Sequence, residues 1–105
     1  MVRVQIKFRQ DKIQEIDIKG HANSGEHGFD LVCAGISCIS VGILNALQQL
    51  SENTCILEMK EGHVFIKVIV DTCEKTQVIL QTLYIQLLTI EESNNQYIKI
   101  SKEEV

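Results

Sequence analysis

The sequence predicts an α+β fold: a single mixed or antiparallel sheet with two helices, in the order β-β-α-β-β-α-β. Three observations carry that expectation. Val2, Val4, Ile6 and Phe8 alternate with Arg3, Gln5, Lys7 and Arg9, the period of a half-buried strand. The uncharged stretch from Leu31 to Ser51 is too long for a strand and repeats its apolar residues at helical spacing. A further pair of strand-like runs then leads into a second helical pattern. With 105 residues, no proline and no linker-like segment, a single domain spanning 1–105 is expected.

Each element has its own local reason. Val2 to Arg9 forms the first strand, and Gln10-Asp11-Lys12 the turn after it. Ile13 to Lys19 returns as a second strand, with Ile16 and Ile18 opposite Glu15, Asp17 and Lys19, and ends at Gly20-His21. Ala22 to Phe29, carrying Gly25 and Gly28, is expected as a loop. Asp30 suits an N-cap, because its carboxylate can accept from free backbone N–H groups, with the helix running from Leu31 to about Leu50. Ile36, Ile39, Ile43, Leu47 and Leu50 are its expected core stripe, while Gly35, Gly42 and Ala46 form a line that permits close approach. Past a loop at Ser51-Glu52-Asn53, strands are expected over Cys55–Lys60 and His63–Val70 around a Glu61-Gly62 turn. Asp71 or Thr72 then caps a helix over about Cys73–Glu91, with Leu80, Leu83, Leu87 and Ile90 inward. Tyr97 to Ile100 is a short last strand, and Lys102 to Val105 a polar tail. With helices on one face of such a sheet, the other face must be polar or covered by a second chain.

Composition excludes several classes. Forty-five per cent hydrophobic and 23% charged residues describe an ordinary globular chain. A net charge of −4 argues against direct nucleic-acid binding, which calls for a clustered basic face. The apolar part of the uncharged run, Leu31 to Leu44, falls short of the roughly 20 residues of a membrane span, so no membrane contact is expected. The opening MVRVQIKFRQ has no secretory signal pattern, which points to the cytoplasm, where thiols stay reduced. Cys33, Cys38, Cys55 and Cys73 include no Cys-x-x-Cys pair, so neither a metal site nor a disulfide is expected.

Chemistry concentrates between Gly20 and Ser37. If Asp30 caps the helix, Cys33 is its third residue, where the helix dipole favours a thiolate by about 1 kcal/mol. That is less than one pKa unit, so an imidazole must supply the larger part. His21, at the end of a strand, reaches Cys33 if the loop folds back. Ser37 lies one turn beyond Cys33 on the same face and either supports the site or back-bonds to the Cys33 carbonyl. Asp30 acts as a cap or orients His21; Gly25 and Gly28 are turn residues or bring backbone N–H groups near a substrate. An oxyanion hole can come from the Cys33 N–H and a neighbour. Cys38, Cys55 and Cys73 read as small buried hydrophobes, Cys73 sharing the helix-start argument without a nearby histidine. His27 and His63 read as solvated. The constellation describes a small cysteine-dependent hydrolase.

Gly20-His21-Ala22, Gly25, Gly28, Asp30, Val32-Cys33-Ala34 and Ser37, in that register, resemble the signature of the Prp family of ribosomal-processing cysteine proteases. The resemblance covers essentially the whole chain. It implies removal of a short N-terminal extension from bacterial large-subunit ribosomal protein twenty-seven. It also implies Cys33 as nucleophile, His21 as general base and Ser37 as a further site position. A homodimer, no metal or other cofactor, a mobile glycine loop over the site and an apolar groove beside Cys33 complete the expectation. Two other readings differ in class. A non-catalytic adaptor would bind a peptide or ribosomal partner through a sheet edge and leave Cys33 an ordinary thiol. A thiol redox protein is weakened by the missing Cys-x-x-Cys.

Overall fold

The computed structural model describes the backbone of residues 1–20 and 27–105, and the side chains of 1–20 and 30–105. Its elements are β1 (Val2–Arg9), β2 (Lys12–Lys19), α1 (His27–Leu50), β3 (Cys55–Lys60), β4 (His63–Val68), α2 (Glu74–Ser93) and β5 (Ile98–Glu104). The strands form one sheet in the order β3-β4-β2-β1-β5. All neighbours are antiparallel except β1 and β5, which run parallel.

Period-two alternation sends Val2, Val4, Ile6, Ile16, Ile18 and Ile66 to one face, all buried. That face meets the apolar residues of both helices in one cluster, with Ile36, Leu47, Leu80, Leu83 and Leu87 at its centre. The opposite face carries Arg3, Gln5, Glu15, Asp17, Lys19, Lys67 and Lys99, with Phe65 and Ile56 among them, so the uncovered side of the sheet is mainly polar. By length and composition α1 can cross a bilayer, yet Val32, Ile36, Ile43, Leu44 and Leu47 are packed into this core.

Where the β1–β2 ladder slips between Lys7 and Phe8, α2 repairs the pairing. The buried Gln77 amide accepts from the Ile13 N–H (2.8 Å) and donates to the Ile13 carbonyl (3.0 Å). Two backbone groups that would otherwise be buried without partners are thereby satisfied.

Several sequence expectations change. Helix α1 begins at His27, so Asp30 is a first-turn residue rather than the N-cap, and Gly28 lies in the helix rather than in a loop. Leu50 is exposed, and Leu44 takes an inward place. The expected polar tail is instead strand: β5 continues to Glu104, paired in parallel to Phe8. The ladder partner, not residue polarity, determines that end. Gly35 and Gly42 have nothing packed against them among the described residues, so no close approach uses that line.

Candidate active site

At one end of the sheet, α1 passes over the ends of β1 and β2 and the β3–β4 turn. The space between is a cleft of about 520 Å³. Cys33, Ser37 and Ser40 enter it from α1, three residues at helical spacing on one face. Val2, Ile18, Met59 and Val64 line the other side, which makes the cleft largely apolar. An apolar groove beside Cys33 was the expectation, and it is present.

Gly20 forms part of the wall, at φ +125°. A Cβ there would stand 2.6 Å from the Met1 carbonyl oxygen, so the close crossing of the β2 end over the chain start requires glycine. Its N–H donates to the Gly62 carbonyl at 2.9 Å, which ties β2 to the β3–β4 turn. Gly20, the residue before His21 in sequence, is thereby fixed in the cleft wall.

Cys33 is half-buried and is the seventh residue of α1, not the third. The dipole effect fades beyond the first turn, so helix position contributes little to ionising it. Burial pushes its thiol above the ordinary range; the chain's amino group pulls it down and Asp30 pushes it up further. Asp30 is exposed and disfavours a Cys33 thiolate. Ser37 is exposed at the cleft and makes no back-bond to Cys33 among the described residues. Ala34 is exposed and also lines the cleft. His21, Ala22 and Gly25 lie outside the described residues, as do the side chains of His27 and Gly28's surroundings.

Sequence reasoning missed Ser40. It is only 1% exposed, lines the cleft, and its hydroxyl has no partner among the described residues. A buried hydroxyl without a partner costs about 1–3 kcal/mol, which a bound carbonyl or amide can recover. The signal was available: Ser40 lies seven residues after Cys33, two turns along the same stripe.

The remaining candidates resolve differently. Cys38 is exposed rather than buried. Cys55 is half-buried, and burial raises its thiol pKa. Cys73 stands at the N-cap of α2, where hydroxyls surround it, and is no buried hydrophobe. His63 is half-buried and pairs with Asp17 at 2.7 Å instead of being freely solvated. By strand parity it shares the polar sheet face with Lys19, and it also stands at the edge of the cleft that Cys33 enters. Among the described residues, no group of three or more His, Cys, Asp or Glu could hold a metal ion.

Comparison with known proteins follows the same lines. Residues 1–99 match the family model described as cysteine protease Prp. The ribosomal processing cysteine protease Prp of Staphylococcus aureus (strain Mu50) is 34% identical over 104 residues, covering 96% of this chain and 98% of that one. Its counterpart in Bacillus subtilis (strain 168) is 29% identical, covering 96% of each chain. The fold superposes on the crystal structure of the S. aureus ribosomal processing protease Prp in complex with a substrate peptide at a TM-score of 0.91. That pair is 32% identical, with 98% of this chain and 100% of that one covered. The S. aureus enzyme with a covalently linked product peptide gives 0.88 at 33% identity, with the same coverage. This chain is a member of the Prp family of cysteine proteases.

Proposed function

We propose that the chain removes the N-terminal extension of bacterial large-subunit ribosomal protein twenty-seven, using Cys33 as nucleophile and His21 as general base. The observation that carries this reading is the placing of Cys33 and two serines along an apolar cleft whose wall includes Gly20, the residue before His21 in sequence. Peptide-bound structures of the S. aureus relative support a peptide as the cleft's occupant. An apolar cleft favours an extension that ends in hydrophobic or aromatic residues.

The raised Cys33 thiol determines the order of steps. Little thiolate exists before substrate arrives, so His21 takes the proton as Cys33 attacks the scissile carbonyl. Backbone N–H groups stabilise the tetrahedral oxyanion, and Ser37 or Ser40 offers a hydroxyl to the neighbouring peptide. The imidazolium then protonates the leaving amine, and water hydrolyses the thioester. None of these steps calls for a metal.

The enzyme works in the cytoplasm as a homodimer. Val78 and Ile85 are exposed on α2, with Leu88 beside them. Thr82 and Thr89 donate to the carbonyls of Val78 and Ile85 (2.8 Å each), which satisfies their hydroxyls and leaves an apolar stripe. Such a stripe supports burial against a second copy. Ile85→Glu is expected to halve the mass measured by light scattering.

Wild type, Cys33→Ala and His21→Ala are incubated with the unprocessed ribosomal protein and the products weighed by mass spectrometry. Only the wild type should shorten its substrate. Undiminished cleavage by folded Cys33→Ala defeats the assignment.

A further inference from the structure

The pairing register aligns four lysine and arginine side chains and His63 into one row on the polar face of the sheet. Lys60 stands opposite His63, His63 opposite Lys19, Lys19 opposite Arg3, and Arg3 opposite Lys99. Each strand contributes one member. At about 4.8 Å between strands the row is roughly 19 Å long. Lys60, Lys19, Arg3 and Lys99 are exposed and His63 is half-buried.

Nothing in the fold requires this arrangement. Like charges directly opposite one another destabilise a sheet; in the next row Asp17 pairs with Lys19 (3.6 Å) and His63 (2.7 Å), and Glu58 stands on the same face two residues from Lys60. Arg3, Lys60 and Lys99 make no ion pair among the described residues. The chain as a whole carries −4, so the row runs against the overall balance, and the net charge conceals it. Beside the row stands Phe65, on the same face, its ring 6.4 Å from that of His63 and tilted by 46°. Asp17 and Glu58 stand directly opposite Phe65 on the two neighbouring strands, and Gln5 and Ser101 continue the row with polar hydrogen-bonding groups.

We propose that this face binds single-stranded RNA, with phosphates along the row from Lys60 to Lys99 and a base stacked on Phe65. Clustered cations beside a partly exposed ring on a sheet are the two elements that hold a single strand, and Phe65 is half-buried. An acidic protein segment would satisfy the cations and leave the ring unused; a basic peptide would be repelled. The surface is distinct from the peptide cleft, although Lys60 and His63 stand where the two meet. Bound RNA therefore passes the cleft mouth without entering it.

The test uses the full chain and a fluorescein-labelled 20-nucleotide uridine RNA, followed by anisotropy from 50 to 300 mM salt. Four to five phosphate contacts give a slope of log affinity against log salt near −3. Arg3→Gln/Lys99→Gln is expected to reduce that slope by about 1.4 and weaken binding about tenfold at 100 mM salt. Phe65→Leu is expected to weaken binding about tenfold with the slope unchanged, as loss of one stacked base does. Thermal melts verify that the variants fold, and peptide cleavage, measured separately, is expected to be unchanged in the double variant. Lost cleavage in Cys33→Ala with RNA binding intact keeps the two surfaces apart. The proposal is overturned if the wild type shows no binding at 50 mM salt, or if the double variant binds like wild type. It is equally overturned if a labelled 20-residue polyglutamate binds as tightly as the RNA, which would make the row an acidic-protein site.

Discussion

Cys33 and Cys73 both stand in the opening turns of a helix, one at an apolar cleft and the other at the N-cap of α2. Cys73 has the surroundings that ionise a thiol. Ser51 and then Thr76 hydrogen-bond to its sulfur, with backbone N–H groups of the first turn behind them, and they hold its pKa down at about 7. Those hydroxyls belong to a buried network in which Thr54 bonds to Thr76 (2.8 Å) and to the Ser51 carbonyl (2.9 Å), and Ser51 bonds to Thr76. Cys33 has the opposite surroundings, with burial and Asp30 both working against the thiolate. Yet it is Cys33 that faces a peptide-sized cleft. An ionised thiol is easily made by local hydrogen bonds; a catalytic one needs space for a substrate and a base that acts during the reaction.

That contrast is best attacked by its largest expected effect. Cys33→Ala should lower peptide cleavage by at least about 10³-fold, the scale of losing a nucleophile. Cys73→Ala should leave it within about threefold. Reversed results would make Cys73 the working thiol.

Alkylation sharpens the comparison in the free enzyme. At pH 7 Cys73 is about half ionised, whereas burial and Asp30 hold Cys33 mostly protonated. The excess of thiolate outweighs the lower nucleophilicity of a low-pKa sulfur. Iodoacetamide should therefore label Cys73 faster than Cys33, as followed by peptide mass mapping. Equal rates would mean that the hydroxyl network does not act on Cys73.

Ser51→Ala removes the largest single cause. The Cys73 labelling profile should move up toward the ordinary thiol range, and stability should fall by about 1 kcal/mol as Thr76 loses a buried partner. An unchanged profile would assign the depression to the helix N–H groups instead.

The smallest effect is on stability against pH, and its sign differs between the two sites. A depressed thiol pKa adds stability as pH rises from about 7 toward the unfolded thiol value, and loses it as pH falls through 7. The raised pKa values of Cys33 and Cys55 take stability away above the unfolded thiol value. Urea midpoints should rise modestly between pH 7 and 8.5 in the wild type and stay flat in Cys73→Ser.

The element order, the strand Cys55–Lys60 and the core residues Leu80, Leu83 and Leu87 were all legible, because hydrophobic period is a local property of the chain. So was the sequence around Cys33, since nucleophile, glycines and serine lie within a short span. Electrostatics was not. Asp30 looked like a cap that would help Cys33, but the helix starts a turn earlier, and the same carboxylate hinders the thiolate. The ionisation of Cys73 is not legible locally, because the first of the hydroxyls that lower its pKa comes from Ser51, 22 residues away in sequence.

The amino-acid order by itself determined which residues turn inward, where the chain bends, and which thiol lies among the residues of a peptidase signature. Only the tertiary structure decided the opposite pKa shifts of Cys33 and Cys73, the exposure of Cys38, the pairing of His63 with Asp17, and the row of basic side chains across five strands. The physical reason is range. Burial patterns follow from neighbours a few positions away, whereas charge and hydrogen bonding act through space between strands and helices that the sequence does not place side by side.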